Sequence, residues 1–487
     1  MPTPARTPSW LDAALCSYLA LPVLIFCGWF RWPVAVVLGL LTLVGWRAAM
    51  AGIRWREAWP SAKGAAAVLA IALAWTAFAG GGHFVYANAD WYTRSAVLRD
   101  LVAAPWPPAY RLDPALILRA PVGFYLPSAL AGMLVGVRGA DIVLYAWSAL
   151  GFALFLAAAA SLFERPAHKR LACLLVTFFG GLDMVGYLLM QGHWPAVGEH
   201  IQWWMQLVQY SSEVTLMFWV PNHALPAWLG TMLVLRLWRT PTLARVAPLC
   251  AAAVPLWSPL AAIGLAPFFV AGIAWRRDWR LLLSPQSSLA WIVVALPVAV
   301  YLTLDSATIP AGWLFSYFPS AVLFLRVYVL FCMLQFGLLA LVLYRLKADS
   351  PLLRLAVAIL LLLPLYRFGL SNDLPMRASI PALTVLALAC VEPLLGNGER
   401  RWRAVLAGLL VAGLGPSVQE IERTLIKPRE PQPMYSMAEL YGGPAGRLDL
   451  LPPHYVARPD GTRLGALLRP PALVPPSVVP EPAKVTR

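Results

Sequence analysis

Apolar runs long enough to cross a bilayer recur from one end of the chain to the other, and nothing else in the sequence constrains the fold as strongly. Thirteen runs fall at roughly 11–30, 33–49, 64–80, 141–163, 171–190, 221–238, 246–257, 258–275, 289–304, 321–344, 352–366, 378–395 and 404–418. None alternates with period two, so they read as helices rather than barrel strands. Charged residues are 13% of the 487, against roughly a quarter in a soluble domain. The expected class is therefore all-α: a polytopic helical membrane protein with about 13 transmembrane helices.

The net charge of +15 would suit nucleic acid if it formed one basic face. Instead the basic residues occupy short loops between apolar runs, so no nucleic-acid partner is expected. One stretch decides the topology: "APVGFYLPSALAGMLVG", 120–136, either spans or lies in the interface. If it does not span, the cytoplasmic loops hold Arg47, Arg54, Arg56 and Lys63; Arg165, Lys169 and Arg170; Arg239 and Arg245; Arg276, Arg277 and Arg280; Arg345, Lys347 and Arg354; Arg400, Arg401 and Arg403. Outer loops 191–220 and 305–320 then hold no Lys or Arg. If it spans, every later loop inverts and the positive-inside rule fails. The stretch is read as an interfacial or re-entrant helix on the outer side, with the N-terminus cytoplasmic and the C-terminal tail outside.

Three parts follow. Residues 1–63 form an extra helical hairpin and a cytoplasmic loop, its first run read as a retained helix rather than a cleaved signal. Residues 64–418 form the main transmembrane module, with a large outer loop at 81–140. Residues 419–487 form a proline-rich outer tail, expected to be extended and poorly ordered; "MYSMAELYGG" is its one candidate for packing back. All six cysteines lie inside apolar runs, so no disulfide framework or Cys-based metal site is expected. The low ratio of Lys to Arg fits a GC-rich bacterial genome, and the expected location is a bacterial inner membrane.

Polar residues gather on the outer side. "NADWYTRSAVLRDL" places Asp90 and Arg94 on one helix face, four residues apart. Other loops supply His193, Glu199 and His200; Glu213, Asn222 and His223; Asn372, Asp373 and Arg377. Asp183 lies toward the outer end of a span, where a carboxylate is a functional candidate by default. Each residue also has a plain structural role open to it. Asp90 and Arg94 suit a helix-capping ion pair, and Asp183 a helix-packing hydrogen bond beside Gly180 and Gly181. Asn222 suits a helix cap, Arg377 snorkelling to headgroups, and His193 and His200 solvated loop positions. The outer tryptophans Trp91, Trp106, Trp194, Trp203, Trp204 and Trp219 suit an interfacial belt. Convergence of carboxylates, imidazoles and guanidiniums on one face favours a site.

No GxxxxGK[ST], strand-associated GxGxxG or HExxH is present, so a substrate used on the outer face would arrive on a lipid. The layout resembles the GT-C superfamily of integral membrane glycosyltransferases, which use sugars carried on polyprenyl phosphate. "NADWYTRSAVLRDL" resembles the first juxtamembrane helix of their first outer loop, with Asp90 in the catalytic place. "APVGFYLPSALAGMLVG" resembles the second, and "SNDLPMRASIPAL" the outer segment whose Arg binds the donor phosphate. The phrases "HIQWW" and "RASIPAL" are similar to those of a group of uncharacterised bacterial multispan proteins. Two departures stand out: Asp90 is followed by Trp rather than a second acid, and Arg119 stands where the superfamily has Lys or His.

The resemblance implies a GT-C-like fold with juxtamembrane helices and transfer of a hexosyl or pentosyl group, with inversion, to an acceptor hydroxyl. Asp90 would be general base or orienting carboxylate, and Arg377, Arg94 and Arg119 would bind the donor phosphate. Asp183, His193, Glu199, His200, Glu213, Asn222, His223, Asn372 and Asp373 would line the pocket. The acceptor would be a cell-envelope glycan, lipid or protein, and membrane lipids would surround the chain. A divalent cation, Mg²⁺ or Mn²⁺, is left open, since Asp90, Asp183, Glu199, Glu213 and Asp373 can each offer hard oxygen ligands. Three alternatives stand beside this reading. An O-antigen-type polymerase or ligase would centre on a late outer loop; a transporter or lipid flippase would centre on Asp183; a non-catalytic scaffold would keep the fold without the chemistry.

Overall fold

A computed structural model describes residues 8–54, 61–282, 284, 288–429, 434–443 and 447–477. Arg56 and the end of the proline-rich tail lie outside these residues. The chain opens with α1 (Trp10–Phe26), α2 (Trp32–Met50) and α3 (Ala62–Phe78). The first loop carries α4 (Asp90–Ala103) and strands β1 (Pro108–Leu112) and β2 (Ala115–Leu118). Next come α5 (Leu126–Ser161), α6 (Pro166–Phe178), α7 (Asp183–Gln191), the short α8 (Glu213–Trp219) and α9 (Pro221–Leu237). Then follow α10 (Thr242–Trp257), α11 (Pro259–Arg276), the single turn α12 (Trp279–Leu282), α13 (Ala290–Thr303) and β3 (Ala311–Trp313). The last apolar part holds α14 (Ala321–Cys332), α15 (Leu338–Arg345), α16 (Pro351–Leu362), β4 (Tyr366–Phe368), α17 (Asp373–Ala378), α18 (Ile380–Ala389), α19 (Val391–Leu395), α20 (Arg400–Ala412) and α21 (Gly415–Ile426). The tail adds α22 (Met437–Gly442), β5 (Val456–Ala457), α23 (Arg463–Leu467) and β6 (Ala472–Leu473).

The chain is mostly helical. Among the described residues eight helical segments are long and apolar enough to cross a membrane, and four shorter apolar helices accompany them. Several runs break where the sequence gives a reason. Gly136 adopts φ 77°, ψ 174°, a conformation reserved for glycine. It divides α5 into a short helix, 126–135, and the long apolar leg that follows. Within α10–α11 the reversal takes one residue, Ser258, whose Oγ accepts from the Ala261 N–H at the start of α11. A π-helical turn at Met333–Gly337 joins α14 to α15.

Aromatic packing fixes the centre. Phe155 stacks on Trp228 with centroids 4.7 Å apart, and Tyr18 stacks on Trp147 at 4.0 Å. Helix α1 belongs to this core rather than to an appended hairpin. Its Tyr18 hydroxyl donates to the Trp147 carbonyl at 2.9 Å, and its Asp12 is buried against Arg236 of α9, Nε to Oδ1 2.6 Å.

Contacts between helix ends fall into two sets. Asp12 with Arg236, the Arg54 N–H with the Pro8 carbonyl, Arg276 with the Arg239 carbonyl, and His168 with Glu392 join one set of ends. Asn88 with the Phe218 carbonyl, Tyr301 with the Ala120 N–H, and Asp305 with the Arg458 N–H join the other.

The tail differs from the extended segment that its composition suggests. Strand β6 pairs parallel to β1 and β5 antiparallel to β2, making a four-stranded sheet in the order β5-β2-β1-β6. A second sheet pairs β3 with β4. The chain is thus not purely helical on this side. The pairs are two or three residues long, and such strands leave no periodicity to read. Helix α22 packs on α4: the Met437 N–H donates to Asp100 Oδ2 at 2.9 Å, and the hydroxyls of Thr93 and Tyr441 lie 2.8 Å apart.

Candidate active site

The site is built around the start of α4. Asn88 positions it: its Oδ1 accepts the Asp90 N–H at 3.1 Å and its Nδ2 donates to the Phe218 carbonyl at 2.8 Å. Trp91 Nε1 donates to the same carbonyl at 3.2 Å. The start of α4 is thereby pinned to the α8–α9 corner. Asp90 leaves 46% of its side chain exposed, while Arg94 one turn on is buried. Arg94 Nη2 lies 3.4 Å from Asp90 Oδ2, and its Nε donates to Asn222 Oδ1 at 3.4 Å. Its Nη1 is buried with no hydrogen-bond partner among the described residues. A buried guanidinium nitrogen left in that state favours an anion beside it.

Helix α17 forms the facing wall. Asp373 and Arg377 share a face and pair at 3.0 Å. Gly264 of α11 lets α17 come this close, because a methyl group there would overlap the Ala378 carbonyl oxygen. His223 opens α9 beside Asn222, its Nδ1 2.8 Å from Ser258 Oγ at the α10–α11 corner. Arg119 enters from the first loop, donating to the Leu302 carbonyl at 3.1 Å and to the Pro453 carbonyl of the tail at 2.5 Å. Its own N–H donates to the Tyr455 carbonyl at 2.7 Å.

These walls enclose two cavities that share Asp373 and Arg377. The larger, about 480 Å³, is lined by Arg119, Asn222, His223 and the tail residues His454 and Tyr455; its apolar side is Leu260, Ile263, Leu302 and Ile309. Ile263 is 54% exposed, so this side continues onto the apolar surface of α11. The smaller, about 250 Å³, is lined by Asp90, His200, Trp203, Gln209, Ser211, Thr215, Trp219 and Ser371. One lobe is mainly apolar and the other rich in hydrogen-bonding groups.

The structure thus brings together Asp90, Arg94, Arg119, His200, Asn222, His223, Asp373 and Arg377, and places five other candidates elsewhere. Asp183 is fully buried and accepts from Gln202 at 3.2 Å, Trp204 at 3.0 Å and Gln335 at 2.6 Å. It starts α7 after a break at 179–182, so its role is packing. Glu213 is buried beneath the site and accepts from Thr384 at 3.2 Å. Glu199 accepts from the Tyr187 hydroxyl and the Ala196 N–H, both at 2.8 Å. These two bonds hold its carboxyl below the usual range. His193 is exposed on the loop after α7, its Nδ1 3.0 Å from the Trp194 carbonyl. Asn372, at φ 53°, shapes the turn before α17 by donating to the Leu207 carbonyl at 2.7 Å.

The five carboxylates considered for a cation therefore belong to different hydrogen-bonded sets. Among the described residues no three His, Cys, Asp or Glu side chains converge as a metal group, and no metal ligand is assigned.

The tryptophans also divide. Trp91, Trp106 and Trp204 are buried, Trp203 and Trp219 line the smaller cavity, and Trp194 is 73% exposed. Sequence reasoning missed Ser258, His454, Tyr455, Glu420 and Arg423. The last two lie on α21, where Glu420 accepts from Trp219 Nε1 at 2.8 Å and from Arg423 at 2.5 Å. Their sole sequence signal was an acid and a base three residues apart, in a segment that also carries Gln419, Glu422 and Lys427. No family model, curated protein or solved structure matches the chain.

Proposed function

We propose that the protein is a GT-C-type membrane glycosyltransferase that moves a sugar from polyprenyl phosphate to an acceptor hydroxyl on the outer face of a bacterial inner membrane. One observation carries the reading. A half-exposed carboxylate, Asp90, faces the same cavity as Arg377, and that guanidinium also borders a second, mainly apolar cavity.

The apolar cavity suits the first isoprene units of a lipid-borne donor. Arg377 and Arg94 meet the phosphate, because the planar guanidinium fork matches its oxygens. Arg119 is bonded to two backbone carbonyls, so its part is to hold the cavity wall and add positive charge. Asp90 accepts a hydrogen bond from the acceptor hydroxyl and directs its oxygen at the anomeric carbon. Attack from the face opposite the phosphate inverts that carbon. The departing phosphate keeps its electron pair beside the arginines, so it needs no protonation by an acid of the kind soluble glycosidases use.

The two sets of helix-end contacts support the topology. The eight long and four shorter apolar segments, with α9, make thirteen crossings; the N-terminus and the arginine-rich loops are then cytoplasmic, and the site and tail are periplasmic. Asp183, on which a transporter reading would centre, is closed in by three donors and borders neither cavity. The test is incubation of the nanodisc-reconstituted protein with a panel of radiolabelled polyprenyl-phosphate sugars. Release of sugar to water or acceptor supports the reading; no binding and no turnover across the panel overturns it.

A further inference from the structure

We infer that the proton lost by the acceptor hydroxyl passes to Nε2 of His200, which Glu420 holds in place for that purpose. The inference rests on the glycosyl-transfer reading and assigns the one proton movement that reading leaves open. His200 precedes α8 and lines the same small cavity as Asp90. Its Nδ1 lies 2.9 Å from Glu420 Oε1. An ionised carboxylate only accepts, so Nδ1 carries the hydrogen and Nε2 presents its lone pair.

The surroundings of Nε2 fit a ring that gains a proton there. Gln209 Oε1 stands 3.5 Å away, and Gln209 Nε2 donates to Ser211 Oγ at 2.8 Å. At 3.5 Å this contact is too long to occupy the Nε2 lone pair, which stays available to a hydroxyl in the cavity that His200 lines. Trp219 packs beside the imidazole, ring centroids 5.2 Å apart and planes tilted by 51°. Trp219 and Arg423 both donate to Glu420 Oε2, which leaves Oε1 to the imidazole. Carboxylate, imidazole and reacting oxygen then follow the order of a serine-hydrolase triad without its nucleophile.

Asp90 is placed for a different task. Arg94 already pairs with it, so it holds the hydroxyl while His200 takes the proton. The step balances without a further reactant. The acceptor O–H breaks and its proton goes to Nε2. The oxygen lone pair forms the bond to the anomeric carbon, and the bond from that carbon to the phosphate oxygen breaks, its electron pair leaving on the lipid phosphate.

Chemical rescue tests this. His200→Ala, compared with wild type on the donor that turns over, is expected to lose roughly 100-fold in kcat with little change in donor KM. Added imidazole should restore part of the loss by occupying the vacated space. Glu420→Gln, which can still accept from Nδ1, should lose less, again in kcat. His200→Gln guards against misfolding: it should melt like wild type and remain slow. Turnover by wild type together with an unimpaired His200→Ala, or with a loss confined to KM that imidazole does not repair, overturns the inference and leaves the glycosyl-transfer reading standing. No turnover by wild type on any donor overturns both.

Discussion

Asp100, buried on α4, accepts the backbone N–H of Met437 at 2.9 Å across 337 residues of sequence. Tyr110 donates to the same oxygen at 2.9 Å, and Arg99 to the other at 3.0 Å. This carboxyl is the joint between the loop that carries α4 and the tail. Burial outweighs the donors and pushes it from 3.8 up to about 6. The folded state therefore holds a proton that the unfolded chain releases. The corresponding stability is fully present below pH 3.8 and is lost as pH rises through about 6, a total of no more than about 3 kcal/mol. Asp100→Asn should remove that slope. Unfolding midpoints of both proteins between pH 4 and 7 should converge at the acid end and part toward neutrality; parallel curves would show that Asp100 does not set the dependence.

Asp90→Asn is expected to reduce kcat about 100-fold by misaligning the acceptor hydroxyl while the protein inserts and folds. The side chain is half exposed and its bond to Arg94 is long, so the change in stability should stay within about 1 kcal/mol. Turnover with melting measured on the same sample separates the two effects. A variant that keeps its activity removes Asp90 from the reaction.

Arg377 borders both cavities and should act on the donor. Arg377→Ala should weaken donor binding by a factor of 10 or more, as expected for a lost charge-assisted bond of about 1.5–3 kcal/mol, with a smaller effect on acceptor KM. Arg377→Lys should recover only part, because an ammonium cannot bind two phosphate oxygens as a fork. Unchanged donor affinity in Arg377→Ala would exclude its phosphate role.

Most helices were legible because lipid allows little else: runs such as 221–238 and 289–304 lie within a residue or two of α9 and α13. The four-residue spacing of Asp90 and Arg94 placed that pair on one helix face. What remained illegible depends on long-range closure. Glu420 meets His200 across 220 residues, and no local pattern marks such a pair. Asp183 read as a functional acid because its donors, Gln202, Trp204 and Gln335, come from two other segments. The tail docks through strands of two residues and single backbone bonds, and its prolines hid them.

The buried pair of Asp12 and Arg236 ties the first helix to α9. Its side chains are 1% and 5% exposed, and a second bond, Nη2 to Oδ2, measures 2.9 Å. Asp12→Ala leaves a guanidinium buried without its counter-charge, and a cost of about 3–5 kcal/mol is expected. Replacing both residues with apolar ones of similar size should cost less than the single change. Melting of the three variants in nanodiscs checks this, and an additive double variant would refute the coupling.

The mechanism depends on which face of the membrane holds the site, and labelling single cysteines decides it. The six native cysteines are buried or half-buried, so background reaction with a charged maleimide should be low. Position 90 is partly exposed and position 165 exposed in the structure. With the N-terminus inside, a cysteine at 90 should react in intact spheroplasts, while one at 165 should react only after lysis. Arg165 stands at the N-cap of α6, whose first turns carry Lys169 and Arg170, and the positive-inside rule retains such a basic helix end in the cytoplasm. The reverse pattern would put Asp90 in the cytoplasm, beside soluble nucleotide sugars rather than a flipped lipid donor. The case for polyprenyl phosphate would then fail, even if both cavities kept their shape.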